Sequence, residues 1–175
     1  MITFARRERP GSPLIRTVEP TVPPTPHTDA ELATLITLLT RLVSRTGLLS
    51  VGHSRDEASR EAARAVADAW TERGGRVLTV VSWPEEAASW LRPAARLTTP
   101  RPDAWVMAAA LPGFAQLARR LRHSTDWDPA RTFAFASLQD ARLPALAGPG
   151  VLDGLRGATA DGGTWDVDDR RVTVR

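Results

Sequence analysis

From Thr28 onward two hydrophobic rhythms alternate along the chain. Short unbroken apolar runs suit strands covered on both faces, and the stretches between them repeat apolar residues every three or four positions, as one face of a helix does. The change of rhythm is sharpest at 47–57. There Leu48-Leu49-Ser50-Val51 is a strand, Gly52-His53-Ser54 is a turn, and an Ala-rich helical pattern follows at once. This is the opening strand–turn–helix step of an α/β unit, and it recurs around Ser82, Leu111 and Ser137.

The predicted elements follow in order. Residues 1–27 carry Pro10, Pro13, Pro20, Pro23, Pro24 and Pro26 and read as an irregular arm, with 28–175 as a single domain. Thr28 and Glu31 have capping-box spacing and open a helix over 29–45, whose stripe of Leu32, Leu35, Ile36, Leu39, Leu42 and Val43 suits packing on a sheet or a dimer seam. A strand at 48–51 leads to a helix at 56–73, with Ser54 and Glu57 again at capping-box spacing, ended by Gly74-Gly75. The run at 77–81 predicts a strand buried on both faces. Ser82 and Glu85 form a third capping pair, with Pro84 in the first turn of a helix that carries Ala87, Trp90 and Leu91 and stops before Pro93. Strands at 105–109, 133–136 and 155–159, helices at 112–123 and 141–147, and a hairpin of 164–167 with 171–174 complete the pattern.

Right-handed crossovers turn this alternation into an α/β fold: a mostly parallel sheet with helices on both faces, three-layered and Rossmann-like, closed by a C-terminal β-hairpin. Ligands of such sheets bind beyond the carboxyl ends of the strands. Those ends place His53, Ser54, Ser82, Trp83, Leu111 and Ser137 as candidate ligand-binding residues.

Composition narrows the function classes. All 23 basic residues are arginine, so a net charge of only +3 goes with a pI of about 11.0. An all-arginine, alanine-rich chain reflects the base composition of a GC-rich bacterial genome more than a nucleic-acid surface. Its arginines alternate with acids on helix faces, as on an ordinary solvated surface. With no cysteine, thiolate chemistry and disulfides are excluded. No apolar run is long enough to span a membrane and no secretory signal is visible, so a soluble cytoplasmic protein is expected, without nucleic-acid or membrane partners.

His53 has the most chemistry to offer. At a strand end before a helix N-terminus it suits ligand hydrogen bonding, general-base work or metal ligation, or else a turn histidine bonded to backbone. His123 reads as a helix C-terminal cap, and His27 has no assigned role. Asp161, Asp166, Asp168 and Asp169 lack calcium-loop spacing and read as turn formers. No dinucleotide fingerprint or phosphate-loop lysine is present, so no cofactor or resident metal is predicted.

Several motifs between Gly47 and Val167 stand in a telling order: Gly47-Leu-Leu-Ser-Val-Gly-His-Ser54 before a helix ending Arg73-Gly-Gly-Arg-Val-Leu-Thr-Val-Val81, then Pro102-Asp-Ala-Trp-Val-Met-Ala-Ala109, Thr132-Phe-Ala-Phe-Ala-Ser137 and Leu152-Asp-Gly-Leu-Arg-Gly-Ala-Thr159. In that order they resemble one lobe of the type I periplasmic solute-binding fold, the Leu/Ile/Val-binding family. The resemblance implies a non-catalytic small-molecule-binding or protein-interaction module. Family members grip ligand between two lobes, so a lone lobe is expected to pair, as a homodimer or with a protein partner. Val51-Gly52-His53-Ser54-Arg55-Asp56 also resembles the metal-binding strand end of small cobalt or iron chelatases, which implies the alternative of a small enzyme, chelatase-like or a lyase, using His53.

Overall fold

The computed structural model describes residues 22–175, so most of the predicted arm lies outside the described residues. α1 (Asp29–Leu42) begins where its capping box predicts. Thr28 Oγ1 accepts the Glu31 amide at 3.1 Å and Glu31 Oε2 accepts the Thr28 amide at 3.3 Å. There follow β1 (Leu48–Ser54), α2 (Glu57–Glu72), β2 (Arg76–Trp83), α3 (Leu91–Thr98), β3 (Ala104–Ala108), α4 (Leu111–Ser124), β4 (Thr132–Ala134), α5 (Leu143–Ala147), β5 (Arg156–Ala158), β6 (Thr164–Asp168) and β7 (Arg171–Val174). They build one seven-stranded sheet in the order β2-β1-β3-β4-β5-β6-β7. Pairing is parallel as far as β5 and antiparallel from β5 to β7, so the predicted α/β class and the terminal hairpin are both present.

Two apolar layers fill the spaces above and below the sheet. Leu35, Leu39, Val66 and Trp70 of α1 and α2 pack with Leu49, Val51, Val106 and Phe133. Leu97, Phe114, Leu117 and Leu143 of α3, α4 and α5 pack with Val81, Trp83, Trp105 and Met107 on the other side. The split follows from connection handedness. The step from β1 to β2 runs one way across the sheet and the steps from β2 onward run the other way, so right-handed crossovers place their helices on opposite faces. The strand order therefore reverses between β1 and β3, which makes their carboxyl ends the switch point of the sheet.

Three local expectations are corrected. β2 is an edge strand, and Val80 is 45 % exposed in the run expected to be covered on both faces. Hydrophobic runs report β propensity as well as double-sided burial, and an edge strand satisfies the former alone. α2 is capped by Asp56, whose carboxylate accepts the Ser59 amide at 2.8 Å, not by Ser54, which is the last residue of β1. Residues 84–90 are not helical. The helix starts at Leu91 and holds Pro93 in its first turn, where the missing proline N–H would have had no partner in any case.

Candidate functional site

At the switch point the last residue of β1 meets the first turn of α4. Ser54 is fully buried. Its hydroxyl donates to Glu85 Oε1 at 2.5 Å and accepts the Ala110 amide at 3.0 Å. The other Glu85 oxygen accepts the Gly113 amide of α4 at 2.8 Å. Glycine at 113 leaves room for this carboxylate: a Cβ there would lie 2.5 Å from its oxygen and oblige the Glu85 side chain to shift. The Ser82–Glu85 spacing read as a cap on its own helix thus serves a different one: Glu85 crosses from the loop after β2 to cap α4.

Other helix starts along this rim are treated alike, although α3 and α5 begin with no side-chain cap. Asp56 caps α2. Glu31, 2 % exposed, keeps one oxygen on its own helix start and offers the other to the Ala136 amide, where a single 3₁₀ turn (Ala136–Leu138) leaves β4. Carboxylates of the chain itself fill positions where helix N-termini would otherwise receive an anion.

Burial raises the Glu85 pKa above its ordinary value of 4.5. The Ser54 and Gly113 hydrogen bonds oppose that rise and the nearby Asp56 charge adds to it. A carboxyl that holds its proton more tightly folded than unfolded favours the fold below that ordinary range, and the contribution is lost as pH rises through the elevated value. Glu85→Gln is expected to remove this slope. In urea titrations between about pH 4 and 7, the parent should lose stability relative to the variant as pH rises. The amide keeps one acceptor but turns a donor toward Ser54 or Gly113, a constant cost of about 1 kcal/mol. Parallel pH curves for the two proteins would refute the assignment.

The six candidate residues fall in three places. His53 and Ser82 are register partners on β1 and β2. His53 is buried within β1, which runs through the Gly52-His53-Ser54 expected to be a turn, and its Nδ1–H donates to the Ser54 carbonyl at 2.6 Å; a carbonyl only accepts, so that nitrogen carries the proton. Ser82 is exposed. Trp83 is fully buried and packs over Gly52 and Met107, where a Cβ on Gly52 would come within 2.7 Å of its ring. It is a core residue, not a platform for ligand stacking, because the pleat turns it inward from β2. Leu111 opens α4 and packs on the same core. Ser137 lies apart from these, beyond β4. With Pro24, Thr25, His27, Ala58 and Ala108 it lines a void of about 20 Å³, room for roughly one water and no ligand. His27 closes it, its ring set edge-on to Phe135 at 5.7 Å between centroids. The end of the arm therefore covers this stretch of rim.

Open space on the rim lies on the other face. A cavity of about 320 Å³ is lined by Glu85, Glu86, Ala87, Trp90, Pro112, Ala115, Gln116 and Leu146. None of the six candidates lines it. Glu85 and Trp90 were visible in sequence only as a capping residue and a helix-face residue; the signal of a rim role was that both follow a strand end. A larger cavity, about 630 Å³, sits among Thr98, Arg101, Ser124, Asp126 and Arg131 at the amino ends of the strands. Size favours that one, but its position does not, since ligands of open α/β sheets sit at the carboxyl ends.

Comparison with solved structures then decides what this architecture is. An extracellular ligand-binding receptor from Rhodopseudomonas palustris superposes with a TM-score of 0.64 at 14 % identity, over 82 % of this chain and 37 % of its own. Another such receptor, from Rhodopseudomonas palustris HaA2, gives 0.63 at 16 % identity, over 74 % and 35 %. A branched-chain amino acid ABC transporter periplasmic ligand-binding protein from Burkholderia xenovorans LB400 gives 0.57 at 14 % identity, over 73 % and 34 %. The domain has the fold of one lobe of a type I solute-binding protein. It spans about a third of the length of these structures, as one lobe should. No protein-family model matches the sequence, and no curated protein matches it. The resemblance read from Gly47 to Val167 is thus present in the fold of the lobe.

Proposed function

We propose that this lobe is a non-catalytic module that binds a small molecule at the carboxyl rim of its sheet. The observation that supports it is the coincidence of the solute-binding lobe fold with an open cavity at the carboxyl ends of β2 and β3. The ligand lies on one lobe, so a second surface, another copy of the chain or a protein partner, completes its burial. The enzyme alternative rests on His53, whose Nδ1 donates to the Ser54 carbonyl and leaves Nε2 to carry a base or ligand role.

Amide NMR of the full chain titrated with leucine and valine, branched-chain amino acids of the class the Burkholderia protein is named for, tests the reading. Responses are expected at Glu86, Trp90 and Gly113 and not at Thr98 or Ser124. Shifts gathered at the amino-end cavity would move the site to the opposite end of the sheet and overturn it. Light scattering with and without ligand reports whether a second copy joins.

A further inference from the structure

We propose that the cavity between Glu86, Trp90 and the start of α4 takes an organic cation with a compact apolar body, a primary amine or guanidine. The inference rests on the reading of the rim as a ligand surface and names the ligand's chemistry. Three positions that would hold a ligand carboxylate are already filled: Asp56 on α2, Glu85 on α4 and Glu31 at Ala136. The α3 start at Trp90 carries no carboxylate of its own, but an anion there would share the cavity with Glu85 and Glu86, and like charges at that range repel.

The cavity wall has the opposite preference. Glu85 and Glu86 are its only charged residues, and no arginine or histidine lines it. Glu86 is exposed and has no hydrogen-bond or ion-pair partner among the described residues. Each Glu85 oxygen spends one acceptor site, on Ser54 or on Gly113, and a carboxylate oxygen has two, so the group retains capacity toward a cation. Apart from the neutral amide of Gln116, the rest of the wall is apolar. Trp90 is half-buried against the core, Leu146 is 44 % exposed, and Pro112, Ala115 and Ala87 complete the surface. An indole is the best aromatic face for a cation, and the aliphatic side chains suit a short hydrocarbon. At about 320 Å³ the space falls at the small end of ligand pockets, where one charged contact and one apolar body exhaust the room.

Three probes of one skeleton separate the possibilities: isopentylamine, isovalerate and isopentanol, titrated at constant ionic strength into the isotope-labelled full chain. The amine is expected to shift the Trp90 indole N–H and the Glu86, Gly113 and Gln116 amides, with isovalerate silent there. Glu86→Gln, an exposed and isosteric change, should weaken the amine about tenfold, as expected for loss of a hydrogen bond to a charged group. Trp90→Leu, checked for a native spectrum, should weaken it about fivefold. Isovalerate binding at these residues as tightly as the amine would overturn the cation assignment and leave the ligand-binding rim standing. Amine binding unchanged by Glu86→Gln would overturn it too. Silence of the rim toward all three probes and toward leucine and valine would overturn both readings.

Discussion

Trp70→Ala is expected to destabilise the domain by about 3–5 kcal/mol, the range for deleting a buried tryptophan side chain. The ring has no solvent exposure. Its Nε1–H donates to the Gly47 carbonyl at 3.0 Å, and Gly75 lies so close that a Cβ there would fall 2.1 Å from the same nitrogen. Trp70 thus joins the end of α2 to the start of β1 and to the turn into β2. Removing it opens a cavity and loosens three joints together. For a domain of this size the melting temperature should fall by about 6–20 °C. Trp70→Phe retains most of the volume, and the Gly47 carbonyl still accepts the Arg76 amide, so about 1 kcal/mol should be lost beyond packing adjustments. Urea unfolding followed by circular dichroism distinguishes the two variants. A loss under about 1 kcal/mol for Trp70→Ala would show that the cavity collapses without cost.

Gly157→Ala is the second large effect, with an expected loss of about 3 kcal/mol or more from overpacking. β5 is squeezed between β4 and β6. A Cβ at this position would stand 2.3 Å from the Ala134 carbonyl oxygen and 2.3 Å from the buried Trp165 ring. The backbone oxygen has no rotamer to change, so relief must come from parting β4 and β5, whose register pairs Ala134 with Gly157. Gly74→Ala is the control. Its φ of 91° is a left-handed helix-ending conformation, but nothing lies within 4 Å of the added methyl, so the cost should be about 1 kcal/mol of backbone strain. Comparable losses for the two alanines would mean that backbone conformation, and not close contact, governs Gly157.

The motifs at the strand ends were guides to the order of the elements and weaker guides to where each strand stops and to what the side chains there do: β1 runs through Gly52-His53-Ser54, and the helix expected at Ser82 starts only at Leu91. Ser54 illustrates why. Its spacing from Glu57 is that of a cap, and its position at the end of β1 is that of a ligand contact. The structure gives its hydroxyl to Glu85 and Ala110, partners 31 and 56 residues away. A three-residue spacing describes local geometry only, and a donor from a distant strand end can outcompete it. Trp83 shows the same limit in its burial. An aromatic beside a rim serine has no sequence mark that separates a stacking platform from a core residue, because the pleat direction of an edge strand with a register shift is set by its neighbour.

Charge follows the same rule. Asp161 was read as a turn former, and it is one: it accepts the Thr159 hydroxyl and the Gly163 amide at 3.4 Å, both within two residues. Glu31 was read as half of a capping box and fills that role, yet its second oxygen reaches Ala136, 105 residues on. The local half of its function was legible and the distant half was not.

Hydrophobic periodicity, capping boxes and glycine stops by themselves determined the succession of strands and helices, the parallel α/β class and the terminal hairpin, because each of these is governed by residues within a few positions of one another. They also determined that His53, Ser54 and Ser82 stand at strand ends. Only the tertiary structure decided the strand order and with it the switch point, the crossing of Glu85 to cap α4, the closure of the β4 end by His27 and the open cavity at Trp90. Those depend on which distant segments become neighbours, and burial across the whole chain selects them where local spacing has no preference.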